Sequence, residues 1–149
     1  MIILGITILI SLFVVALFAS SEHKPSLEEQ IDYVACVIEA EAGGESKEGM
    51  KAVAAVIHNR SQFKRWTPYD VVTASRQFAS PTTRCSAYAR ELSLLLHNTT
   101  KAKRVFIGLR WTHFYAYELC DPYWANSLTH STIIGKHRFG VLRDGVYCK

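Results

Sequence analysis

Glu39-Ala-Glu-Ala-Gly-Gly-Glu-Ser-Lys-Glu-Gly-Met-Lys-Ala-Val-Ala-Ala-Val-Ile-His-Asn-Arg60 sets four of the chain's thirteen acidic residues between positions 39 and 48, then runs into small apolar residues. Just upstream, Ile31, Val34, Ala35, Ile38 and Ala42 recur at helical spacing, so residues 31–42 read as an amphipathic helix. At about 100° per residue, Glu41 falls on the rim of the apolar stripe, between Val34 and Val37. Glu39 falls on the opposite rim, near Asp32 and Cys36. Gly43-Gly44 supplies the permissive backbone that commonly ends a helix. Glu41 thus stands in a last turn, where unpaired carbonyls disfavour an anion, and apolar neighbours add a desolvation cost of the same sign. Both raise its pKa, as a carboxyl general acid requires. A solvated acidic helix end has the same local pattern, and this stretch by itself leaves the two readings open.

The 149 residues suffice for one domain with its own core. Residues 1–19 carry no charged side chain and are long enough to span a bilayer as a helix. They are read as a signal peptide or, with no Lys or Arg before them and Leu17 in a small-residue cleavage position, as a retained or released anchor. The expected organisation is an N-terminal transmembrane or signal segment (1–20), a linker and start of the first helix (21–30), and a catalytic domain (31–149). The domain is then exported and held at the membrane through residues 2–19, or released outside it.

Cys36, Cys85, Cys120 and Cys148 form an even set outside the apolar stretch, which with export suggests up to two disulfides. Three pairings are open; Cys120 with Cys148 would tie down the tail. Charge is divided along the chain. Residues 22–48 hold eight acids against two lysines, and residues 49–149 hold fifteen Lys or Arg against five acids. An acidic site on a basic body suits an anionic substrate such as wall polymer, and an ordinary solvated surface fits as well. Charge alone permits nucleic acid, but export and the lack of any nucleic-acid-binding fingerprint argue against it.

Ser26-Leu-Glu-Glu29 matches a capping box that opens the first helix. Met50, Val53, Ala54 and Ile57 give the second helix an apolar face, and Ala52, Ala55 and Val56 let it approach the first closely, up to about Asn59-Arg60. Thr67-Pro68 starts a short helix over residues 69–74, which delivers Arg76-Gln-Phe-Ala-Ser80 as a loop. Residues 86–97 read as a further amphipathic helix through Ala87, Leu92, Leu94, Leu95 and Leu96. Val105-Phe-Ile-Gly108 and Thr112-His-Phe-Tyr-Ala-Tyr117 are aromatic and β-prone. Asp121-Pro-Tyr-Trp124 is a turn, and Ile133-Ile-Gly-Lys-His-Arg-Phe139 reads as a strand or strand-loop closing near Asp144-Gly145. Helices first and a small irregular β part last make the chain α+β.

Glu41-Ala-Gly-Gly-Glu45, Glu48-Gly49, Ala52–Ile57 and Asn59-Arg60 resemble the opening signature of the spore-cortex-lytic cell wall hydrolases (SleB/CwlJ type). Gln77-Phe78 with Ser80, His113-Phe-Tyr-Ala116, Pro122 with Trp124, and Gly135-Lys-His137 with Phe139 resemble that family's later blocks in the same order. The resemblance covers roughly residues 31–140. It implies a lysozyme- and lytic-transglycosylase-like fold that cuts peptidoglycan glycan strands between N-acetylmuramic acid and N-acetylglucosamine, with Glu41 as the catalytic carboxyl. Gly43 departs from the family, which commonly has Arg there. With an apolar N-terminal stretch, the chain is also similar to phage endolysins exported by a signal-arrest-release segment; a bacterial germination or remodelling enzyme fits equally.

Under this reading Glu41 is the acid and base of a transglycosylase that needs no cofactor and no metal, and a monomer suffices. In a hydrolytic version Glu45, Glu48 or Asp70 would position water. Gln77, Phe78, Tyr115 and Trp124 are expected along the sugar groove, and Glu45 and His137 either there or in structural roles. Core packing is the commoner fate of an aromatic, and Arg60 would simply complement its helix dipole. Two other classes remain. A zinc-dependent wall amidase or peptidase would draw ligands from His113, Cys120, His130 and His137, whose spacings fit no common zinc motif. A non-catalytic, membrane-tethered glycan-binding module would keep the aromatics without needing Glu41.

Overall fold

A computed structural model describes residues 24–75 and 77–142. The N-terminal apolar segment, Arg76, Cys148 and the Asp144-Gly145 closure lie outside the described residues. No helix among the described residues is long and apolar enough to cross a membrane.

Five α-helices precede a small sheet. They are α1 (Leu27–Ala42), α2 (Lys47–Lys64), α3 (Pro68–Thr73), α4 (Ala87–His97) and α5 (Thr99–Val105). Side-chain oxygens of Ser26, Ser46, Thr67, Ser86 and Asn98 cap the five N-termini, and Ser26/Glu29 and Thr67/Asp70 close full capping boxes. α2 is the central element. Ala52 through His58 are buried in succession, which only a helix of such small side chains allows, and α1, α3 and α4 pack around it. It runs on past Arg60 to Lys64 and stops where Arg65 takes a left-handed φ of 56°. On α4 the buried residues are Ala89, Leu92, Ser93 and Leu96, whereas Leu94 is exposed. Ser93 is tolerated there because its hydroxyl donates to the Ile31 carbonyl at 2.7 Å, joining α4 to α1.

Strands β1 (His113–Ala116), β2 (Leu128–Ile134) and β3 (His137–Leu142) form an antiparallel sheet in the order β1-β3-β2. A 3-10 turn over Ala125–Ser127 leads into β2. Directly paired residues share a face. Phe114 with Phe139, and Ala116 and Ile134 with His137, therefore lie on one side. That side meets the helices, and Phe139 is fully buried there. His113, Tyr115, Ile133, Arg138 and Gly140 lie on the other. The observed class is mostly helical α+β with a small sheet.

The helix end at Gly43-Gly44 and the strand-loop reading of residues 133–139 hold in refined form, whereas a strand at Val105–Gly108 and the disulfides need correction. Gly43 closes α1 in the right-handed helical region (φ −65°), and Gly44 is not among the positive-φ glycines, so the pair ends the helix without left-handed backbone. A side chain at 43 would instead overlap the Glu39 carboxylate. Val105–Gly108 is no strand but the end of α5 and a turn, because Ala102 and Phe106 bury at i, i+4 spacing while Val105 and Ile107 stay exposed. Residues 133–139 take the strand-loop form of the two readings. They form the tip of a hairpin that turns at Gly135 (φ 57°). The described cysteines, Cys36, Cys85 and Cys120, are free thiols, so no disulfide joins them. Cys36 and Cys85 are nonetheless neighbours, and burial and the Cys36 contact push the Cys85 thiol up to about 11.

Candidate active site

The site forms where the end of α1, the C-terminal part of α2, the loop after α3 and the tip of the β2–β3 hairpin meet. Glu41 occupies the last turn of α1, and the Ala79 N–H donates to its Oε1 at 2.5 Å. Burial raises the Glu41 pKa above its ordinary value. The Ala79 N–H and the charges of His137 and Arg60 oppose that shift in part. The result is a carboxyl more readily protonated than a surface Glu, held in one orientation by a backbone donor.

Glu39, two residues earlier, points elsewhere. Its Oε2 accepts the Ser86 N–H at 3.0 Å and the Ser86 hydroxyl at 2.7 Å. The Thr82 N–H and hydroxyl both reach the Cys36 carbonyl at 3.2 Å. The 79–86 loop is thereby fastened along α1 at Cys36, Glu39 and Glu41.

Arg60 is the strut that sequence reasoning missed. Its Nε donates to the Thr112 carbonyl at 2.6 Å, its Nη1 donates to Gln77 Oε1 at 3.1 Å, and its guanidinium lies 5.2 Å from the Phe78 ring centre. Asn59 donates to the Leu109 and Trp111 carbonyls, both at 2.8 Å. These two side chains hold the segment entering β1 against α2. Their sequence signals, a place in the family's opening signature and adjacency at an expected helix end, say nothing about partners 50 residues away.

Gln77, Phe78 and His137 gather near Glu41. Phe78 meets Phe114 at 6.1 Å between centroids, and Phe114 meets His137 at 5.7 Å. Phe78 and Phe114 are also partly buried against the core. Glu45 joins a different contact: its two carboxylate oxygens accept the Lys136 N–H at 3.3 and 3.2 Å, and Oε1 lies 3.5 Å from His137 Nδ1. Tyr115 and Trp124 are not brought to Glu41. They cluster with His113 on the far face of the sheet, each ring 5.5 Å from Trp124. His113 is held down to about 4 by burial and by the Arg60 and Lys64 charges, so it is neutral near pH 7. Among the described residues no group of three or more His, Cys, Asp or Glu is placed to hold a metal ion.

The family model described as Cell Wall Hydrolase matches residues 44–140, about two-thirds of the chain. This chain belongs to the cell wall hydrolase family. Degradation of wall peptidoglycan is the activity that membership carries. The match includes Glu45, Arg60, Gln77, Phe78 and His137 and begins three residues after Glu41. The fold is similar to that of the catalytic domain of the Bacillus cereus SleB protein, with a TM-score of 0.59 and 22% identity over 79% of this chain and 93% of that one. No curated protein matches the chain.

Proposed function

We propose that this cell wall hydrolase is a lytic transglycosylase that cuts peptidoglycan between N-acetylmuramic acid and N-acetylglucosamine, with Glu41 as both acid and base. The observation carrying this reading is that Glu41, among the candidate carboxyls, is the one whose pKa burial raises. Glu45 is engaged by Lys136 and His137, and Asp70 by its own capping box. Glu48 sits at the exposed start of α2, its pKa lowered by its own backbone N–H and by Ser46. A hydrolytic mechanism needs a second group to position water, and the other contacts made by Glu45, Glu48 and Asp70 support the transglycosylase reading.

Protonated Glu41 gives its proton to the glycosidic oxygen as the C1–O bond breaks, and positive charge develops at C1. The muramic acid 6-hydroxyl then attacks C1 and returns a proton to Glu41. A 1,6-anhydro end forms, no water is consumed, and the acid is restored. Residues 2–19 place the domain outside the cytoplasmic membrane, tethered or released. Fractionation of cells expressing the chain, before and after collapse of the membrane potential, tests release.

The decisive experiment is mass spectrometry of soluble products from purified peptidoglycan treated with the full chain or with Glu41→Gln. Products ending in 1,6-anhydro-muramic acid, absent with the variant, are expected. Reducing-end muramic acid would make the enzyme a muramidase. Free stem peptides, or undiminished activity of the variant, would overturn the glycosidase reading.

A further inference from the structure

Glu45 and His137 form a buried pair beside the proposed acid, with side chains only 11% and 13% exposed. Glu45 approaches the hairpin tip so closely that a Cβ on Gly135 would overlap its Oε2. Gly135 is therefore required twice, for its φ of 57° and for the room its missing side chain leaves. The Lys136 N–H then donates to both Glu45 oxygens, and the next residue carries the imidazole. His137 Nδ1 is buried and makes no hydrogen bond. Its 3.5 Å approach to Glu45 Oε1 is an ion-pair distance without hydrogen-bond alignment. The ring is packed edge-on against Phe114 and beside Phe139, which fixes its plane.

We propose that Glu45 is a positioning residue: its carboxylate fixes the Gly135–His137 turn and so holds the His137 imidazole where its charge acts on Glu41. The resulting chain of contacts runs from the loop between α1 and α2, through the hairpin tip, and back to the last turn of α1. Two cationic groups face Glu41, His137 from β3 and Arg60 from α2, and the loop contributes the Ala79 N–H. Glu45 is the carboxylate facing His137. Removing the Glu45 carboxylate loosens the turn that carries the His137 ring. Glu41 then loses a neighbour that favours its ionised form, and its titration moves to higher pH. The catalytic consequence rests on the reading of Glu41 as the acid. The contact and its effect on the Glu41 titration do not.

The test follows the carboxyl carbon of Glu41 by NMR in the full chain, in detergent micelles, labelled at glutamate side chains. Glu45→Gln keeps an oxygen for the Lys136 N–H and removes the charge, and His137→Gln removes the imidazole. Each is expected to raise the Glu41 midpoint, and the double variant by no more than either alone. An unmoved midpoint in Glu45→Gln, or shifts that add in the double variant, would overturn the proposal. The wild-type chain gives a second check independent of variant folding. Its Lys136 amide resonance must titrate with Glu45, and an amide that follows no carboxyl removes the contact on which the inference stands. Because these readouts need no turnover, they separate from the product analysis of Glu41→Gln, which tests the glycosidase reading.

Discussion

The Ala79 N–H reaches Glu41 Oε1 at 2.5 Å across 38 positions of sequence. Two opposing effects meet in this one carboxyl: burial drives it towards the neutral form, and a backbone donor with two cationic neighbours draws it towards the anion. Their balance leaves its pKa raised. A raised folded-state pKa means that the folded protein favours protonated Glu41 more than the unfolded chain does. Its contribution to stability is full below the unfolded pKa and is lost as pH rises through the folded pKa. Glu41→Gln, which does not titrate and can still accept from Ala79, is thus expected to be inactive yet more heat-stable than the parent at neutral pH. The gap should close as pH falls below the usual carboxylate range. Each kcal/mol gained corresponds to about 2–4 °C in Tm, so thermal unfolding at a series of pH values reads it.

The same shift sets the pH dependence of turnover. An acid must be protonated to act, so kcat should fall as pH rises through the Glu41 pKa, with the limb displaced above 4.5, the ordinary value for Glu. His113, held down to about 4, cannot account for a limb displaced above 4.5. A profile of kcat against pH on solubilised glycan strands checks this. A limb at the ordinary carboxyl value would mean that the buried acid is not the titrating group.

Arg60 provides charge and bracing at once, and two substitutions separate them. Arg60→Lys keeps the charge but cannot bridge Thr112 and Gln77 while lying over Phe78. It should cost about 10- to 100-fold in kcat through misplacement of the loop that holds Glu41, with the pH limb unmoved. Arg60→Met should lose a similar factor and also shift the limb upward, because a charge that lowers the Glu41 pKa has gone. Identical pH profiles for the two would show that only the bracing matters.

Gly135→Ala puts a Cβ on a left-handed residue and into the space of Glu45 Oε2. The expected destabilisation is about 1–3 kcal/mol, read as a lower urea midpoint with an unchanged slope. Gly44→Ala makes the comparison, since a Cβ there meets nothing within 4 Å. Equal losses at the two sites would contradict the close approach at Gly135.

Thiol reactivity should follow environment. Cys120 is exposed, whereas Cys85 is pushed up to about 11 by burial and by Cys36. Timed alkylation at pH 8 with peptide mapping should label Cys120 well before Cys85. The reverse order would place Cys85 in a different environment.

What the sequence by itself determined is local. The capping residues Ser26 and Thr67 mark helix starts because the hydrogen bonds they make lie within three residues. The apolar stripes of α1 and α2 are legible because helical periodicity fixes which residues share a face, and this also put Glu41 on the rim of the core. The family resemblance could be read from motif order for the same reason. Only the tertiary structure decided which partners those faces meet. In His113-Phe-Tyr-Ala116, strand alternation requires Phe114 and Tyr115 to point oppositely, but it does not say which side the helices cover. The packing turned Phe114 towards His137 and Phe78 and sent Tyr115 to Trp124. Asn59, Arg60 and Glu45 likewise find partners 50, 52 and 91 residues away. A side chain carries its hydrogen-bonding capacity in its sequence, but the place where it is satisfied depends on how the whole chain has closed around it.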